Sequence, residues 1–259
     1  MRRLLFALVA AVAAATPGLA AAADLSADQV RERLAAASAE APADLSGKDL
    51  SDLDLSRLDF KRARLVGASL FGTRLVSSNL RGADLSGANL NGAWLMGTNF
   101  GDARLVGASL LSVVVLGGEV KARPSFAGAD LSGARIIADF PGVDLSRARL
   151  AQANLGVNIK NQGMGQMRTD LSGAKLAGTD LSGADLNRSL LAFADLHDAN
   201  LSRANLFRAK LTGADLSGAD VSGADFTEAD LDGTIFKGAK GLDAAKGLDR
   251  ATNRDKAIF

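Results

Sequence analysis

The single histidine of this 259-residue chain, His197, lies between Asp195 and Asp198. A His–Asp pair can act as a general base, and with one of the many serines it could activate a nucleophile. That chemistry needs nucleophile, base and orienting carboxylate to converge in a cleft. His197 instead stands where equivalent stretches carry Ala177 and Ser217, the pattern of a solvated side chain. The absence of cysteine removes thiol chemistry and disulfides. Glycines such as Gly82 and Gly87 are not followed by the Lys-Ser/Thr of a phosphate loop. Aromatic and basic residues are not interleaved as single-stranded nucleic acid requires. The expectation is a chain with no catalytic residues, no cofactor, no metal and no nucleic-acid partner.

The elements that would position these residues are set by a repeat. From Leu45 to Leu110 a large apolar residue recurs at every fifth position, and a second run extends from Leu171 to Phe236. Two residues before each centre the side chain is small, as at Ala83, Ala88, Ala93, Ala214 and Ala219. One residue before stands Asp or Asn, and Ser-Gly often follows. Period five is neither helical nor that of a plain strand. Over three residues, however, side chains alternate in, out, in: Ala83 in, Asp84 out, Leu85 in. The following glycine supplies a sharp bend. Each unit is therefore a very short strand and a corner, and stacked units enclose a core of Leu and Ala.

Ala83-Asp84-Leu85-Ser86-Gly87 and Ala214-Asp215-Leu216-Ser217-Gly218 resemble the motif of the pentapeptide-repeat family. The resemblance covers about Asp44 to Gly238. It implies an all-β fold, a right-handed quadrilateral β-helix with four pentapeptides to a coil. On such a coil Asp215, Asp220, Asp225 and Asp230 face four different sides and form no metal cluster. Outward residues 20 apart would stack about 4.8 Å apart. The column Asp44, Arg64, Asp84, Arg104 then alternates in sign, as opposed neighbours should. Asp195 above Asp215 breaks that rule.

Residues 112–170 form an irregular middle. The phase slips after Val120, returns at Leu145 and fails again between Gly156 and Arg168, predicting bulges or loops near Gly117-Gly118, Phe140-Pro141 and Gln162 to Gln166. Both ends of such a coil need covers. Residues 24–42 predict an N-terminal capping helix. Ser26 to Gln29 form a capping box, Leu25 and Val30 a staple, and the helix runs from about Ala27 to Ala39 before Pro42. Residues 43–238 make the β-helix. Residues 239–259 contain Lys240-Gly241-Leu242-Asp243 and its near copy Lys246-Gly247-Leu248-Asp249, read as a short helical C-terminal cover.

Residues 1–23 have the form of a secretory signal peptide. Arg2 and Arg3 precede the apolar run Leu4 to Ala15, and small residues Ala20 to Ala23 provide a cleavage site. This predicts a periplasmic or secreted bacterial protein with no transmembrane segment in the mature chain. Without Arg2 and Arg3 the chain holds 28 basic and 29 acidic residues.

One feature exceeds what the repeat requires. Val76, Met96 and Leu116 occupy outward positions 20 apart, Trp94 and Val114 stack beside them, and Phe71 and Leu111 occupy the neighbouring side. A contiguous apolar ladder marks a contact surface, for a partner, for a second copy, or for a loop or the N-terminal helix of the chain itself. The second run lacks one, with Leu190, Phe193 and Phe207 scattered. The expected function is an exported structural or protein-interaction scaffold, bound to an unidentified protein or to itself through the ladder. The resemblance offers an alternative, because some family members mimic DNA and act on type II topoisomerases. A dense acidic surface is needed for that. The near-neutral charge and the export signal argue against it.

Overall fold

In the computed structural model residues 23–60, 62–115, 122–157 and 168–259 are described. Leu116 of the expected ladder, the Gly117-Gly118 and Gln162 to Gln166 loops, and residues 1–22 lie outside them. The described chain is a stack of coils joined almost wholly by parallel bridges, one on each of four sides. The first side runs Asp44, Arg64, Asp84, Arg104, Asp130, Arg149, Asp180, Asn200, Asp220, Lys240. The second runs from Asp49 to Lys246 and the fourth from Asp59 to Ile258, while the third is bridged from Asp54 to Val114 and again from Asp139 to Thr252.

Each pentapeptide uses its backbone the same way. Leu85 N–H donates to Arg104 in the next coil at 2.7 Å, and Asp84 N–H donates to Ala63 in the previous coil at 3.0 Å. The corner closes with Ala88 N–H donating to Leu85 at 2.9 Å. The Asp side chain has a local task. Asp84 Oδ1 accepts from Ser86 N–H at 3.0 Å, an Asx turn repeated at Asp44, Asp180, Asp215 and many others. The abundance of Asp is thereby explained without a ligand. Inward hydroxyls are also satisfied: Thr73 donates to the Leu50 carbonyl and Thr98 to that of Leu75, at 2.8 and 2.7 Å.

The irregular middle keeps its pairing. The offset between bridged residues is 20 in the early coils, 26 from Asn99 to Ser125, 19 from Ser125 to Asp144 and 31 from Asp144 to Lys175, then 20 again. The longest strands, β1 (Ser109–Leu111) and β2 (Arg135–Ile137), pair in parallel here. Phe140-Pro141 does not form the expected bulge. Phe140 is buried and Gly142 makes an ordinary corner. The missing residue lies between Ile136 and Phe140, where β2 runs on to Ile137 in place of the usual tight turn. Stacked Phe100 and Phe126, 4.7 Å apart, and Phe140, 5.7 Å beyond, fill the core through these coils.

α1 (Ala27–Ala36) covers the first coil and ends three residues earlier than the spacing predicts. Ser26 and Gln29 complete the capping box, and Val30 and Leu34 are buried. They cover a coil whose inward small positions carry Lys48, Leu53 and Leu58, all half-buried. The other end corrects the expected helical cover. Bridges continue through Lys240, Lys246, Thr252 and Ile258, so the last coil has six-residue sides. Its helical content is two single 3-10 turns, Leu248–Arg250 and Arg254–Lys256. The near-repeat at 240–251 is thus a change of period within the solenoid. Phe259 closes the core by stacking on Phe236 at 5.2 Å. No helix among the described residues is long and apolar enough to cross a membrane.

Candidate protein-contact surface

The expected ladder divides in two. Phe71 is 50% exposed and Trp94 37%, with Leu111 and Val114 half-buried. Val76 and Met96 are not outward surface at all, being 8% and 3% exposed. They follow Leu75 and Leu95 at the corner joining third and fourth sides. Nothing but the chain itself is present, so the chain's own atoms cover them. Trp94 bridges Val114 on the third side, and Phe71 and Leu111 stand at the corner joining second and third sides.

The apolar residues of the second array form no contiguous ladder but fall on the third side or at its corners. Leu190 lies on the third side, Phe207 at the second–third corner, and Phe193 at the third–fourth corner. Phe193 is the most exposed large apolar residue, at 71%. Its φ is 57°, in the left-handed region, where a bulky side chain costs about 1 kcal/mol. Its ring lies over the next coil's corner: a Cβ at Gly213 would meet it at 2.6 Å. Arg74 stacks on Trp94 at 4.8 Å and Arg208 on Phe207 at 4.9 Å, so each aromatic group carries a guanidinium. Between the groups the third side carries Asp139 bridged to Asp170, two like charges in adjacent coils.

The His197 arrangement does not assemble into a catalytic triad. Its Nδ1 lies 2.5 Å from Asp195 Oδ1, with both side chains about half exposed. The nearest hydroxyl by register belongs to Ser217, and it bonds Asp215. The Asp195 hydrogen bond and charge raise the His197 pKa, aided by Asp198 and Asp215. A protonated His197 offsets the Asp195–Asp215 pair that broke the sign pattern. Among the described residues no three His, Cys, Asp or Glu side chains are placed to hold a metal ion.

A family model, pentapeptide repeats, matches residues 43–110 and 169–240 with eight copies of the repeat. The chain belongs to the pentapeptide-repeat family. One solved structure agrees. HetL is a pentapeptide-repeat protein involved in heterocyst differentiation regulation in the cyanobacterium Nostoc sp. strain PCC 7120. It is 31% identical, with 91% of this chain and 100% of HetL covered, at a TM-score of 0.50. A pentapeptide-repeat protein of the Arabidopsis thaliana thylakoid lumen is 37% identical over 39% of this chain and 66% of its own, at 0.20. Full-length QnrB1, a plasmid-mediated fluoroquinolone resistance protein, is 18% identical over 76% of this chain and 92% of its own, at 0.31. Among curated protein sequences none matches. No catalytic family is indicated for this pentapeptide-repeat protein.

Proposed function

We propose that the protein is a non-enzymatic, exported interaction rod that binds a partner protein along its third side. The observation that carries this reading is a coincidence of exposure. Outside the last coil, the three exposed aromatics of the described residues, Phe71, Trp94 and Phe193, all lie on that side or at its two corners. They span five coils, about 24 Å along the axis. The repeat requires none of them, and Phe193 stands there against a backbone preference. Repeat rods bind through long faces of this kind.

The occupant is a different polypeptide rather than a second copy. A two-fold antiparallel pairing through this side would match the two aromatic groups, but it would set Asp139 and Asp170 against their own copies. Four carboxylates would then meet at the axis. A partner with apolar anchors and a basic centre fits instead. Export is supported by Arg2, Arg3, the Leu4 to Ala15 run and the small residues before Asp24. The mature chain then begins between Ala21 and Asp24. Intact mass of the periplasmic form checks this, and a retained Met1 to Ala20 would refute it.

The test places a photo-crosslinker at position 94, 193 or, as control, 215 on the fourth side. Crosslinks from 94 and 193 to one basic segment of a single foreign protein support the reading. Crosslinks to a second copy, or equal yield from 215, overturn it.

A further inference from the structure

A second concave surface lies on another part of the rod, at the corner joining the fourth and first sides. It encloses about 410 Å³ and is lined by Asp102, Arg104, Gly128, Asp130, Arg147 and Arg149. Three guanidinium groups therefore converge where the repeat needs none. The two acids there are already engaged. Asp102 accepts from Arg81 at 2.5 Å, and Asp130 pairs with Arg149. Arg104 donates its Nε to Ser86 Oγ at 3.0 Å and makes no ion pair among the described residues. Arg147 makes no ion pair among the described residues, and its φ of 57° puts it at the corner position that glycine otherwise occupies.

Gly128 forms the floor. Its φ is 71°, and an added Cβ would meet Asp102 Oδ1 at 2.5 Å. The concavity thus exists because a glycine corner lies between the Asp102 and Arg147 corners of the adjacent coils. Each guanidinium offers paired N–H groups matched to a tetrahedral oxyanion, and arginine holds its charge at any working pH. A lone phosphate would leave most of the space empty, since small-molecule pockets start at roughly 300 Å³. Asp102 meets Arg81 through Oδ2 alone, so its Oδ1 can accept from a ligand hydroxyl.

We infer that this concavity binds a small polyhydroxylated phosphate ester, with Arg104 and Arg147 on the phosphate and Asp102 on a hydroxyl. Sugar phosphates and glycerol phosphates share this chemistry. The site is independent of the third side.

The experiment is calorimetric titration of the mature full-length chain with glucose 6-phosphate, glycerol 3-phosphate, inorganic phosphate and glucose. The decisive variant is Arg147→Gly, which restores the family's usual corner residue and so removes the guanidinium without backbone strain. Arg203→Gly, at a distant corner with φ 59°, is the control. The expected result is saturable binding of one or both esters. Arg147→Gly should weaken it about tenfold, as loss of one charge-assisted contact does, and Arg203→Gly should leave it unchanged. Preference between the esters identifies the source. The inference is overturned if neither ester saturates the wild-type chain, if inorganic phosphate binds as tightly as the esters, or if both variants lose binding equally.

Discussion

The first array of coils and the second share one interior and differ outside. In both, the residue before each corner is a buried Leu, Phe or Val and, outside the first coil, the inward residue two before it is small. Outside, the first array carries Phe71, Trp94 and Val114 along its third side, whereas the second carries Leu190, Phe193 and Phe207 among Arg188, Arg208 and Lys210. Between them the coil lengths change to 26, 19 and 31 residues, yet the bridges run through on the first, second and fourth sides. The difference teaches that the repeat governs only inward positions and corner geometry. Bridging resumes after each change of length, and the outer surface is free to specialise.

The sign ladder shows how closely the stacked coils are matched. On the first side acids alternate with Arg, Asn or Lys over ten residues, including Asp130, Arg149 and Asp180, which belong to the irregular coils. An insertion that shifted the register by one coil side would have destroyed that alternation. Adjacent opposite charges stabilise a sheet modestly and like charges oppose it. Pairing across the middle is thereby supported from the surface as well as the backbone.

Inward substitutions should erase the distinction between the arrays most forcefully. Leu85→Lys in the first and Ala214→Arg in the second each bury a charge with no partner, at a cost of several kcal/mol. Both are expected to unfold adjacent coils, while Asp84→Asn stays mild because Asn also forms the Asx turn. Thermal unfolding by circular dichroism checks this; equal losses for inward and outward changes would refute the assignment.

A corner substitution comes next in size. Gly128→Ala introduces a left-handed Ala and a clash with Asp102, so a loss of about 1–2 kcal/mol is expected in denaturant titration. Phe193→Gly should act in the opposite direction, gaining up to about 1 kcal/mol by relieving a bulky left-handed residue. The same variant should lose the partner contact. A stable variant with intact binding would separate Phe193 from the third-side surface.

The smallest effects concern pH. Asp44, Asp49, Asp54, Asp215 and Asp220 lie below the ordinary carboxylate value because the hydroxyl and the amide of the serine two residues on both lie against each carboxylate. At Asp130 burial pushes upward, but the Arg149 and Ser132 hydrogen bonds prevail. Lowered folded-state values mean stability that is present above about pH 3.8 and lost as pH falls through those lower values. His197 has the opposite sign. Its contribution is present below about pH 6.5 and disappears as pH rises through its raised value. Because most of these groups are exposed, the alkaline change should be slight. Melting temperatures across pH, with His197→Ala removing the alkaline component, check both limbs.

Much of this was legible in residue spacing. Leu45 through Leu110 and Leu171 through Phe236 revealed the inward line, and Ser26 to Gln29 the capped helix. The contact strip was legible only in part. A 20-residue count cannot be carried across coils of 26, 19 and 31, so Phe193 and Leu190 could not be aligned with Trp94. Val76 and Met96 have outward spacing, but a corner side chain can fold back under its own chain, and spacing does not reveal that. The last coil misled because Lys240 to Ala251 repeats every six residues, and a six-residue side with a 3-10 turn resembles a helical signal.

Trp94 is the chain's only tryptophan, and it stands in the middle of the early aromatic group. Its emission therefore reports on the third side alone. The mature protein would be titrated with the protein crosslinked at positions 94 and 193 while emission maximum and acrylamide quenching are followed. The account predicts a blue shift and reduced quenching that saturate with binding. A complex that forms with Trp94 emission and quencher access unchanged would contradict it.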